Sequence, residues 1–152
     1  MKPASFAFLP VAFLLTSISL HAETLAPKLE KLSEQEIGEW FKDVGSEQEM
    51  PIPIARRGLI SNQTTFRARC AQHIARHGTW EDVPYLIDSL SDESVHEGAK
   101  YPYAGMASTR YWANVALIAI CKVDMGFRWD DPPEKRKEAI GRWEIIWKSR
   151  SK

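Results

Sequence analysis

Apolar side chains recur along this sequence at intervals of three and four residues, the spacing of one face of an α-helix. The first such stretch follows Ser33 and Glu36, which have the spacing of a capping box. It comprises Ile37, Trp40, Phe41 and Val44, with Gly45 to end the helix. Runs of alternating β-branched residues between tight turns are nearly absent. The pattern therefore predicts an all-α fold.

The same spacing predicts further helices downstream. Residues 50–53 contain two prolines, which predict a non-helical linker before a short helix at 54–60. Helices follow at about 63–77, ended by Gly78, at 83–90, with Pro84 in its first turn, and at 109–122. The last helix is expected to begin at residues 131–133 and to seal the core with Trp143 and Trp147. Because the helix at 109–122 is apolar nearly all round, we expect it to lie at the centre.

The first 22 residues have the features of an export signal. Lys2 precedes an apolar stretch at 6–20, and Ala22 is a small residue before polar sequence. We expect cleavage there, a single domain at 23–152, and a periplasmic or secreted protein that has no membrane association after cleavage. An uncleaved membrane anchor is the alternative. Since Lys2 is the only charge removed, the mature chain is close to neutral, and nucleic acid is not an expected partner.

Two of the predicted helices have a similar pattern of residues, and each residue of the first helix matches one 43 positions later in the second. Arg67, Cys70, Ala71, Ile74 and Ala75 match Arg110, Ala113, Asn114, Leu117 and Ile118. Between them, residues 82–95 contain a proline near the start, a Leu-Ile pair and an acidic turn. In these features the chain resembles HEAT-repeat proteins, whose helix pairs repeat with a similar period, as those of armadillo proteins do.

The closing part of the chain extends this resemblance. Residues 123–130 and the tryptophan-rich helix after them are similar to the tail of uncharacterised exported bacterial HEAT-like proteins, so the resemblance covers about 60–149. It implies a short α-solenoid of about three antiparallel helix pairs that binds other proteins, without catalytic residues or a cofactor. The segment at 95–107 departs from it, being longer than the usual turn inside a HEAT pair.

The long segment at 95–107 supplies most of the candidate binding residues. Long loops that contain tyrosine and methionine are often binding surfaces. The predicted partner-binding residues are His96, Tyr101, Tyr103, Met106, Arg110 and Trp112. Alternatively, the loop folds back to cover Trp112 and the core of the helix pair, and Arg110 is a structural residue that pairs with an acidic turn, for example with Asp88 or Asp92.

Cys70, His73 and His77 are a weaker candidate for a metal site, because their spacing places them on one helix face. The alternative is that Cys70 packs as a small hydrophobic residue and the histidines lie at the helix boundary. The helical alignment separates Cys70 from Cys121 by more than a disulfide spans, which favours two buried free thiols.

The sequence contains no Gly-rich phosphate loop, no Ser between glycines and no Cys-x-x-Cys motif. The resulting hypothesis is an exported, non-enzymatic interaction or scaffold module for an unidentified partner protein. The alternative is a small-ligand or metal-binding accessory protein of an exported enzyme.

Overall fold

The computed structural model describes residues 25–42, 50–94 and 108–150, with side chains described for the same ranges except 41 and 42. In this part of the chain there are six α-helices and no β-strand, which confirms the predicted all-α class. The helices are α1 (Glu34–Lys42), α2 (Ile52–Gly58), α3 (Thr64–His77), α4 (Val83–Ser89), α5 (Thr109–Cys121) and α6 (Pro133–Arg150), with a 3₁₀ turn at Trp80–Asp82 before α4. None of these helices is both long and apolar enough to cross a bilayer.

The predicted capping box starts α1. The backbone N–H of Ser33 donates to a carboxylate oxygen of Glu36 at 2.8 Å, and the N–H of Glu36 donates to the Ser33 hydroxyl at 3.2 Å. These two bonds satisfy N–H groups that have no partner inside the helix. Below them, Ile37 is buried in the core. The predicted end of this helix, at Val44 and Gly45, lies outside the described residues, as does the expected signal segment 1–22.

Helix α2 begins two residues earlier than predicted. Residues 50–53 were expected to form a linker, but the helix starts at Ile52, with Pro51 as its N-cap and Pro53 in the first turn. The first N–H groups of a helix have no carbonyl partner, so prolines at these positions cost no hydrogen bond. The proline restriction on preceding residues therefore does not prevent Ile52 from starting the helix.

Helices α3 and α5 form the centre of the fold and pack more extensively against each other than any other pair of helices. Three of the five pairs of positions matched by the 43-residue offset are buried on both helices: Cys70, Ala71 and Ile74 on α3, and Ala113, Asn114 and Leu117 on α5. Gly78 ends α3 as predicted, and a Cβ there would lie 2.5 Å from the Ile74 carbonyl oxygen. The predicted central position of α5 is confirmed.

The remaining contacts join helices that are neighbours or next-but-one neighbours along the chain. Helix α2 packs against α3, α4 packs against α5, and α6 packs against α4. Trp143 of α6 is fully buried, and Trp147 stacks near Trp80 with 5.5 Å between ring centroids. The tryptophans therefore close the core at α6. This packing order is compatible with a solenoid, which remains a prediction.

Candidate functional site

The structure places only part of the predicted partner-binding set. His96, Tyr101, Tyr103 and Met106 lie outside the described residues. Arg110 and Trp112 are both on α5. Trp112 is half-buried, packs against the core, and makes an edge-to-face contact with Tyr111 at 5.2 Å between ring centroids. This contact gives Trp112 a packing role.

Arg110 is a buried member of an ion-pair cluster. Its guanidinium donates to Glu93 at 2.6 Å, and Arg136 of α6 donates to the other oxygen of the same carboxylate. The alternative interpretation of Arg110 as a structural residue that pairs with an acidic turn is confirmed, but its partner is Glu93 and not Asp88 or Asp92. Asp92 instead accepts from Arg67 at 2.8 Å. The guanidinium of Arg110 above all, and that of Arg136, hold the pKa of Glu93 below its ordinary value of 4.5.

The predicted metal-binding residues do not form a metal site. Within the ranges that the structure describes, no group of three His, Cys, Asp or Glu side chains could hold a metal ion. Cys70 is fully buried, and its sulfur lies 3.9 Å from the Met50 sulfur. Burial raises the pKa of Cys70 to about 12, so the thiolate that binds metals is disfavoured. Both Cys70 and Cys121 are buried free thiols, as predicted.

A candidate binding feature is an open cleft between the N-terminal segment, residues 25–33, and helices α2 and α4. Its volume is about 810 Å³. Apolar side chains from three elements line it, namely Leu29, Leu59, Ile60 and Tyr85. Ile60 is 38% exposed, which is unusual for a large aliphatic side chain in this structure. An exposed apolar surface inside a concave site is typical of a binding site.

The N-terminal segment forms one wall of the cleft through polar contacts with the helices. The backbone N–H groups of Leu25 and Ala26 donate to the carboxylate of Asp88 at 3.2 and 3.1 Å. Farther along, Arg57 of α2 donates to the carbonyls of Glu30, at 3.1 Å, and Lys31, at 3.3 Å. The segment is thus attached to α4 at one end and to α2 at the other.

Asp88 is the half-buried acidic group of this wall. Burial raises its pKa above the ordinary value of 3.8, although the N–H groups of Ala26 and Leu25 favour the ionised form. The Glu144 carboxylate adds a smaller upward shift. Asp88 is therefore a structural acceptor for the segment.

Positive charge exceeds negative charge around the cleft. Four basic side chains line it, Lys28, Lys31, Arg56 and Arg67, against the two carboxylates of Asp88 and Asp92. Arg56 is already paired with Asp82 and Arg67 with Asp92, so the excess positive charge is that of Lys28 and Lys31. Arg56 is held on the fully buried Asp82 and lies over the Tyr85 ring, with its guanidinium carbon 5.6 Å from the centroid. The excess basic charge makes the cleft suited to an acidic ligand.

A second, shallower cavity of about 670 Å³ lies beside Trp80. Lys122 and Arg150 line it, and the Arg150 guanidinium stacks on Trp80 at 4.9 Å from the centroid. Both cations are at helix C-termini, where the helix dipole itself favours positive charge. Their position is therefore explained without a ligand.

Sequence patterns did not indicate the cleft. Residues 27–33 have no regular secondary structure, so they lack the apolar period by which helices were found. The available signal was the cluster Lys28, Leu29 and Lys31 directly after the expected cleavage point.

Comparison with known proteins adds no relationship to this geometry. No family model matches the chain, and neither a curated protein nor a solved structure matches it.

Proposed function

We propose that this chain is an exported, non-enzymatic interaction module that holds an extended, acidic segment of a partner protein in the cleft between residues 25–33, α2 and α4. The observation that carries the proposal is the cleft itself, with exposed Ile60 on its surface and excess basic charge around it. Grooves that combine apolar contacts with charged rims are a recurrent way of binding peptide segments.

The charges of the cleft favour an acidic segment. Both carboxylates that line it are engaged, Asp88 by the N–H groups of Leu25 and Ala26 and Asp92 by Arg67. Lys28 and Lys31 are exposed at the rim, where they attract negative charge. A basic segment would face these cations without a free carboxylate to bind.

The apolar surface of the cleft predicts an aliphatic residue in the bound segment of the partner. Ile60 and Leu29 flank the concave surface, so an aliphatic side chain of the partner would bury them. Burying one such side chain contributes roughly 1.5–3 kcal/mol. We therefore expect acidic residues next to a leucine, isoleucine or valine in the bound segment.

The test compares two exposed isoleucines in residues 23–152. Peptides are selected from a random display library on the wild-type chain, and their dissociation constants are measured for Ile60→Asp and Ile145→Asp. Ile145, which is 68% exposed on α6 and outside the cleft, is the matched control. We expect acidic, aliphatic peptides whose affinity falls roughly 10- to 100-fold in Ile60→Asp, which follows from the loss of the apolar contact.

Equal effects of the two substitutions, or selection of peptides without acidic residues, would refute the assignment of the cleft. Export is tested separately by N-terminal sequencing of the protein recovered from the periplasm or medium of an expressing bacterium. The sequence is expected to begin at Glu23.

A small-ligand accessory protein is the second candidate, because the cleft volume of about 810 Å³ lies within the range of small-molecule sites. This candidate predicts that a compound from a metabolite library raises the melting temperature of the wild-type chain and of Ile145→Asp. No peptide should do so.

A further inference from the structure

Two buried arginines share one exposed carboxylate beside the cleft. The side chains of Arg110 and Arg136 are only 8% and 9% exposed, whereas that of Glu93 is 67% exposed. Glu93 directly follows Asp92, which lines the cleft. The cluster brings two positive charges and one negative charge together, and Asp92 is already bound by Arg67.

The arginines are held independently of Glu93. Arg136 also donates to the backbone carbonyl of Asp131, and Arg110 is enclosed by the helix packing of α5. The Nε–H of Arg110 is buried and has no acceptor among the described residues. Since two guanidiniums in a buried position need a compensating anion, the pair forms a site for a carboxylate that Glu93 fills incompletely.

From this geometry we infer that Arg110 and Arg136 form an exchangeable carboxylate-binding site, in which Glu93 is an intramolecular occupant that a carboxylate of the partner segment replaces. Only the identity of the partner rests on the proposed function. Glu93 can leave without exposing apolar core, because most of its side chain is already in solvent. The arginines, by contrast, are buried on α5 and α6.

The experiment uses residues 23–152 with Glu93→Ala and sodium acetate as the probe, at constant ionic strength maintained with sodium chloride. Glu81→Ala is the matched control: Glu81 is also an exposed acid paired with an arginine, but Arg56 keeps Asp82 as a second partner. We expect a saturable rise in melting temperature with acetate for Glu93→Ala. Glu81→Ala should respond no more than the wild type.

The Nε–H resonance of Arg110 gives a local readout by NMR. It should shift with acetate in Glu93→Ala along the same saturation curve as the melting temperature. If Glu93→Ala does not fold at any acetate concentration, Glu93→Gln, which removes the charge and keeps the side-chain size, is measured by the same criteria. An acetate response equal to that of Glu81→Ala, or an unshifted Arg110 resonance, overturns the inference.

A peptide with two glutamates between leucines tests the exchange. If Glu93 occupies the site about nine-tenths of the time, its removal should strengthen peptide binding about tenfold over the wild type. Binding of acetate without any gain for the peptide refutes the partner carboxylate and assigns the site to a small free carboxylate. Ile60→Asp should weaken peptide binding, and when combined with Glu93→Ala it should leave the acetate response intact. Failure of the proposed function is therefore distinguishable from failure of this site.

Discussion

The contact between α2 and α3 depends on the missing side chain of Gly58. A Cβ atom there would lie 2.2 Å from the sulfur of Cys70 and 2.9 Å from a ring carbon of Phe66. Both neighbours are buried, Cys70 at 0% and Phe66 at 1% exposure, so neither can turn into solvent. The substitution Gly58→Ala must therefore move α2 away from α3.

Two effects of opposite sign determine how Gly58→Ala changes the free energy of unfolding. Alanine favours a helix over glycine by roughly 0.5–1 kcal/mol. Overpacking a filled core costs about 1–3 kcal/mol, and the upper end applies here because the distance of 2.2 Å is far below van der Waals contact. We expect a net loss of about 2 kcal/mol. For a domain of this size that corresponds to a fall in melting temperature of roughly 5–10 °C.

Urea unfolding of four chains tests the cause. The wild type, Gly58→Ala, Cys70→Ala and the double variant form a double-mutant cycle. Removing the sulfur makes room for the new methyl group, so the double variant should be more stable than the sum of the single effects by at least about 1 kcal/mol. A neutral or stabilising Gly58→Ala, or an additive cycle, would refute the steric argument.

Two further predictions concern buried polar groups. Asp82→Asn should reduce the free energy of unfolding by about 2–3 kcal/mol, because it removes the buried carboxylate that binds Arg56 and accepts from the Thr79 backbone N–H in the capping box of the 3₁₀ turn. Glu81→Gln, on an exposed partner of Arg56, should cost less than about 1 kcal/mol; comparable losses in urea unfolding would contradict this difference. The thiols of Cys70 and Cys121, whose pKa values are raised by burial, should not react with a chromogenic disulfide reagent at pH 8 until the chain is unfolded. Rapid labelling of Cys70 in the native chain would show that it is accessible.

Most helices could be predicted from the sequence because their signals are local. The capping box of Ser33 and Glu36 and the stop at Gly78 involve residues three or four positions apart, and both occur as predicted. The predicted start of α2 was wrong because each proline was expected to keep the residue before it extended, whereas Pro53 lies in the first turn and Ile52 is helical.

The candidate sites were less accessible to sequence reasoning. The sequence indicated that Arg110 could pair with an acidic turn, but its partner is Glu93 and neither Asp88 nor Asp92. Several acidic residues follow one another after α4, and local spacing does not determine which of them faces an arginine. That choice depends on how α5 and α6 pack against α4.

The sequence by itself determined the all-helical class, the approximate position of most helices and the residues that they bury. These properties arise from hydrogen bonds and apolar spacing within about one helical turn. Only the tertiary structure decided the cleft and the arginine pair. Asp88 meets Leu25 across 63 positions, and Arg136 meets Glu93 across 43. Contacts at such separations depend on the mutual packing of whole helices, which residue spacing within one helix does not specify.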